Sequence, residues 1–62
     1  MTYTAKELER IICADGWFLV RQAGSHRQFR HPTKPGLVTI PVHRGDLPAG
    51  TVNSILRQTR LK

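Results

Sequence analysis

Apolar positions along the chain change their spacing twice, from helical to strand-like and back, and together with the breaks between strands these changes mark five segments. Ala5, Leu8, Ile11 and Ile12 recur at three- and four-residue intervals, the period of one helix face. Just before this stripe, Thr4-Ala5-Lys6-Glu7 has capping-box spacing, in which Thr4 accepts from the Glu7 amide and Glu7 reaches back. Asp15-Gly16 supplies a left-handed stop. The pattern predicts a helix over 5–14 whose Leu8/Ile11/Ile12 face belongs to the core.

From Trp17 the pattern becomes strand-like. Residues 17–23 and 26–31 are separated by Gly24-Ser25, a two-residue connection with glycine first that suits a type II′ hairpin turn. Leu37-Val38-Thr39-Ile40-Pro41-Val42 is the third strand, reached through a loop that Pro32, Pro35 and Gly36 keep out of the sheet. Pro41 has no amide hydrogen and belongs at a strand end or on an edge. With Phe29 turned to the core, Arg27 and His31 share its parity, while His26, Gln28 and Arg30 face solvent. Val38, Ile40 and Val42 are expected inward and Thr39 outward. In the first strand both parities are apolar, and Trp17 and Leu19 are taken as the inward pair.

After His43-Arg44-Gly45 the spacing is helical again, with Val52, Ile55 and Leu56 as the stripe. Asp46 reads as the N-cap and Pro48 as a first-turn residue. Gly50 lies inside this helix, at about 1 kcal/mol relative to alanine, as though the backbone had to come close to something there. The expected fold is α+β, in the order α-β-β-β-α. Its three-stranded antiparallel sheet carries both helices on one face and leaves the other face wet.

The chain has 62 residues, which predicts one domain over 1–62. Leu, Ile, Val and Phe make up 16 of them, enough for a small core. No run of apolar residues approaches the ~20 that a spanning helix needs, and no signal-peptide pattern is present, so no membrane partner is expected. The single cysteine, Cys13, cannot form an internal disulfide, which suits an intracellular, cytoplasmic protein. Ten Lys and Arg stand against four Asp and Glu, a formal net charge of +6, and such a surplus points to a polyanionic partner.

The same shortage of acids limits the chemistry. Glu7 and Asp46 read as caps, Asp15 as part of a turn and Glu9 as an exposed helix residue, so no paired carboxylates remain for acid–base work. One Cys and three scattered His offer no metal-ligand spacing, and there is no phosphate-binding glycine loop. No metal or cofactor is expected. Histidine among cations remains: His26 beside Arg27, His31 before Pro32, and His43 between strand and helix. A ribonuclease needs no metal if a base takes the ribose 2′-hydroxyl proton and cations stabilise the charged phosphorane. Against this stands the ordinary role of a turn histidine as a solvated or hydrogen-bonded surface residue, which suits His31 and His43 better than His26. Trp17 and Phe29 read as core and Cys13 as packing.

A longer set of residues is more specific. Gly16-Trp17, Arg21-Gln22, Gly24-Ser25-His26-Arg27-Gln28-Phe29 and His31-Pro32 are followed in order by Thr39-Ile40-Pro41-Val42-His43, Gly50-Thr51-Val52 and Ile55-Leu56. Together they resemble the HicA family of toxins, small mRNA interferases of toxin–antitoxin pairs, over nearly the whole chain. The resemblance implies a fold like the double-stranded RNA-binding domain, ribosome-independent cleavage of mRNA, and inhibition by a cognate HicB antitoxin that covers the active site. It places the catalytic histidine at His26. One departure is Arg60, where the family often has a glycine, so the last helix is expected to run on towards Leu61.

On this reading His26 is the general base or acid and Ser25 helps to fix the turn that exposes it. Arg21, Arg27, Arg30 and Lys34 are candidates for RNA phosphate, with parity favouring Arg30 over Arg27. The second proton-transfer role is open among His43, a backbone amide, water and an Arg-polarised site. The free chain is expected to be monomeric, and hetero-oligomeric with its antitoxin. A rival reading is a non-catalytic module that binds double-stranded RNA. Such modules ordinarily carry a lysine cluster at the start of the last helix, and Asp46-Leu47-Pro48-Ala49-Gly50 has none. A third is a purely protein-binding surface for an acidic partner.

Overall fold

The structure, a computed structural model, describes residues 3–62; positions 1 and 2 of the expected domain lie outside the described residues. The elements are α1 (Ala5–Ala14), β1 (Phe18–Ala23), β2 (His26–Arg30), β3 (Val38–Pro41) and α2 (Ala49–Gln58), the expected α-β-β-β-α order. α1 begins with the full capping box. Thr4 Oγ1 accepts from the Glu7 amide at 3.1 Å, and Glu7 Oε1 accepts from the Thr4 amide at 2.9 Å. It ends at Asp15, and Gly16 follows at φ +106°, a conformation open to glycine.

The three strands form one antiparallel sheet in the order β1-β2-β3. Gly24 has φ +58° and Ser25 a negative φ, as a type II′ turn requires. Phe29, Val38 and Ile40 face the helices and are at most 1% exposed; there they meet Leu8 and Ile12 of α1, Val52 and Ile55 of α2, and the loop residues Trp17 and Leu47. At roughly 25 cal/mol per Å² of apolar surface removed from water, this cluster is the main favourable term in folding. Pro41 closes β3, an edge strand, so its missing amide hydrogen leaves no gap in the ladder.

Four local expectations are corrected. Leu19 shares a side with its partner Phe29 yet remains 42% exposed, because the helices lie over β2 and β3 and β1 is the outlying edge. Trp17 is buried as expected, but just ahead of β1 and not within it. Val42 lies beyond the end of β3 and is 51% exposed; its amide donates to Ser25 O at 2.6 Å, which joins the two neighbouring strand ends. Asp46 does not cap α2. It forms an antiparallel bridge with Thr4, and the Leu47 amide donates to Tyr3 O at 2.8 Å. Burying Leu47 draws this segment out against the start of α1, so α2 begins only after Pro48, without a side-chain cap.

A fifth correction concerns the end of α2. The helix stops at Gln58, and Arg60 takes the left-handed conformation at φ +59°. The Leu61 amide reaches back to Leu56 O at 2.9 Å, and that of Arg60 to Arg57 O at 3.0 Å, the pairing of a Schellman stop. Arginine thus stands where the geometry favours glycine. Gly50 shows the reverse: a Cβ there would meet nothing within 4 Å, so no close approach explains it.

Candidate nucleic-acid interface

Opposed residues of antiparallel strands put their side chains on the same face, so the register defines the surface that the helices leave open. His26, first residue of β2, lies between Ala23 of β1 and Pro41 of β3. A methyl group and a pyrrolidine ring leave the imidazole uncovered, and His26 is exposed. One row further, Gln28 lies between Arg21 and Thr39, and beyond it Arg30 pairs with Phe18. The irregularity between Leu19 and Arg21 is what turns Arg21 to this face, because the extra residue Val20 resets the alternation of β1.

Arg21 is therefore the diagonal neighbour of His26, with backbones about 7–8 Å apart and the long side chain able to close the gap. Arg30 is two rows from His26, about 13 Å along the strand. Neither arginine forms an ion pair among the described residues, and no Asp or Glu lies in the paired rows of this face. Ser25 is exposed at the turn and its carbonyl is taken by Val42.

The structure does not bring the other two predicted cations to this group. Arg27 points to the helix side, as its parity implied. Its Nε lies 2.8 Å from Glu9 Oε2, an ion pair without the alignment of a hydrogen bond, and its guanidinium donates to Gln22 Oε1 at 2.8 Å. Lys34 is tied to the Asp15 carboxylate and donates to Thr59 O at 3.2 Å. The hydrogen-bonded Lys34 ammonium holds the Asp15 carboxyl below its ordinary value. Both pairings escaped the sequence reading, although one signal existed. Glu9 stands four residues after Ala5 and three before Ile12, which leans it towards the sheet, where an inward Arg27 meets it.

His31 occupies the turn role expected of it. Its Nε2 lies 2.7 Å from Asp15 O, so it donates there, and Nδ1 accepts from the amides of Thr33 and Lys34 at 3.0 and 3.1 Å. The ring meets Trp17 edge-on, with centroids 5.3 Å apart. His31 thus binds the end of α1 to the loop after β2. Cys13 is exposed, not packed as expected, yet partial desolvation pushes its thiol up, away from the thiolate that a nucleophile would need. Among the described residues no group of three His, Cys, Asp or Glu side chains is arranged to hold a metal ion, and no helix is long and apolar enough to cross a membrane.

The fold and this face define a small α+β protein that offers solvent a sheet surface bearing cations, one histidine and no paired acid. Its affiliation agrees with the motif reading. The family model described as HicA toxin of bacterial toxin-antitoxin matches residues 5–61, nearly the whole chain. No curated protein sequence matches. This chain belongs to the HicA toxin family; its role is that of the toxin in a toxin–antitoxin system, with an antitoxin as partner.

Proposed function

We propose that this toxin is a metal-independent endoribonuclease that cuts mRNA, with His26 as general base and a HicB antitoxin as its inhibitor. The supporting observation is an exposed imidazole between two small cross-strand neighbours, diagonal from Arg21 on a face without acids. Imidazole exchanges a proton near neutral pH. In this reading His26 takes the proton of a ribose 2′-hydroxyl, the 2′-oxygen attacks the adjacent phosphorus, and the bond to the 5′-oxygen breaks. That oxygen takes its proton from solvent, which the open face admits. Arg21 binds the phosphate and offsets charge that develops on the phosphorane. Arg30 holds phosphate further along the strand, and Ser25 fixes the turn that presents His26.

Loss of a positioned proton-transfer group lowers rates by about 10²–10⁴. Purified His26→Ala is therefore expected to lose RNA cleavage while keeping the wild-type circular dichroism spectrum, and to remain bound by a HicB antitoxin. Cleavage at the wild-type rate would overturn the assignment. Duplex recognition finds little support, because the first turn of α2, Ala49-Gly50-Thr51-Val52, carries no cation.

A further inference from the structure

A groove of about 360 Å³ opens on the helix side of the sheet, at the same end as His26. Its walls include Lys6 of α1, Gln22 and Arg27 of the hairpin, and Val42 and His43 just past β3. That volume is at the small end for ligand sites and suits one nucleoside. Three of these wall residues are each a single step from the proposed catalytic position. Arg27 follows His26, Gln22 precedes the Ala23 that opposes His26, and the Val42 amide is bonded to Ser25 O at 2.6 Å. The groove and His26 are thus the two sides of one sheet end, with the Ser25–Val42 hydrogen bond as the lip between them.

The lining has the chemistry of a base pocket. Val42 supplies an apolar wall and His43 an exposed aromatic ring, a side-chain type on which unpaired RNA bases stack. The Gln22 amide is held in place, since it donates to Gly24 O at 3.3 Å and accepts from Arg27 at 2.8 Å. A carboxamide has two N–H groups and two oxygen lone pairs, so one of each is left for a base edge. Glu9, the one acid in the lining, is paired with Arg27, which leaves the Lys6 charge uncompensated among the described residues.

We infer that this groove receives the base of the nucleotide flanking the cleaved bond in single-stranded RNA, stacked on His43, with Lys6 on its phosphate, and so sets cleavage preference. The inference rests on the RNA-cleaving reading above. A strand that places a phosphodiester at His26 crosses the Ser25–Val42 lip and delivers its next base to the groove. His43 acts here by contact with the substrate base and takes no proton.

The test combines sequencing of cleavage sites in a random-sequence RNA pool, kcat and KM on one preferred RNA, and the Kd of 2′-O-methyl hexaribonucleotides, which lack the attacking hydroxyl. His43→Ala is expected to raise KM and Kd about ten-fold, a typical stacking loss. It should leave kcat in place and flatten the base preference beside the cut. His43→Trp should restore both affinity and preference. Lys6→Ala should reduce the salt dependence of Kd by about 0.7 in log–log slope, the share of one phosphate on a single strand. Arg57→Ala, in the last turn of α2 and outside the groove lining, should change nothing.

Wild-type KM and preference in His43→Ala, with cleavage still lost in His26→Ala, would overturn the groove and spare the nuclease reading. Absence of wild-type cleavage, with hexamer binding that depends on His43, would overturn the nuclease reading and support the groove. Absence of both cleavage and binding would overturn the two together. If the groove variants weaken antitoxin binding and leave RNA untouched, the groove belongs to the antitoxin and the RNA inference fails.

Discussion

Gly16→Ala tests how tightly the structure closes around the end of α1. Gly16 has φ +106°, and an added Cβ would lie 2.8 Å from His31 Nε2, closer than such contacts allow. Left-handed backbone disfavours a residue with a Cβ by about 1–2 kcal/mol. His31 cannot move aside freely, because its two ring nitrogens are engaged by Asp15 O and by the amides of Thr33 and Lys34. Displacing the ring forfeits at least the 2.7 Å bond to Asp15 O, about another 1 kcal/mol net. The sum is roughly 2–3 kcal/mol, against about 3–9 kcal/mol of stability for a domain this size. Urea unfolding followed by circular dichroism and Trp17 fluorescence, in the His26→Ala background to avoid toxicity, should show the midpoint falling at unchanged slope. In a thermal scan the shift should be on the order of 10–20 °C. Part of the loss is contact with His31, so Gly16→Ala should cost about 1 kcal/mol less when His31 is already alanine. A loss below about 0.5 kcal/mol, or an identical loss in both backgrounds, would refute the close-approach argument.

Other predictions follow from single features of the fold. Arg60→Gly should stabilise the chain by about 1 kcal/mol in the same denaturation assay, because φ +59° then ceases to be strained. Gly50→Ala should add about 0.5–1 kcal/mol, since the new methyl group meets open space within a helix. Asp15 has its carboxyl held down by Lys34, so its stabilising contribution is fully present above the unfolded value of about 3.9 and fades as pH falls through the lower folded value. Asp15→Asn should flatten that acid limb of a stability–pH profile and leave the neutral region without pH dependence from this group. Arg21→Ala should weaken RNA binding and lower its salt slope by about 0.7, whereas Lys34→Ala should lower thermal stability and leave the slope unchanged.

Much of this arrangement was legible because it is written in local spacing. The capping box at Thr4 and Glu7, the glycine-first turn and the alternation around Phe29 each act over two to four residues, and the structure follows all three. The differences arise where distant segments compete. Asp46 has the chemistry of a cap, but Leu47 is worth more in the core, and burying it draws Asp46 into a bridge with Thr4. Leu19 has the right parity but lies on the strand that the helices do not reach. Arg60 departs from the expected glycine, and the chain keeps the left-handed stop anyway, because the amide of Leu61 finds Leu56 O there. The end of a helix follows from where its last carbonyls find partners, and that is not a local property.

The distribution of acids connects stability with function. Glu9 is paired with Arg27 and Asp15 with Lys34, Glu7 closes the start of α1, and Asp46 is bridged to Thr4, so all four lie away from the paired rows of the open face. Two of the ten cations are thereby engaged on the helix side and loop, where they fasten elements to one another. Arg21 and Arg30 are left without an opposite charge among the described residues, on the side where His26 is exposed. Moving one acid should therefore separate the two roles. Gln28→Glu would place a carboxylate directly opposite Arg21 and one row from His26. An exposed pair of this kind changes stability by less than about 1 kcal/mol, so the fold should hold. RNA affinity should fall about as far as in Arg21→Ala, because the arginine is then engaged and the new charge repels phosphate. Undiminished RNA binding by Gln28→Glu at low salt would show that the open face is not where the polyanion lies.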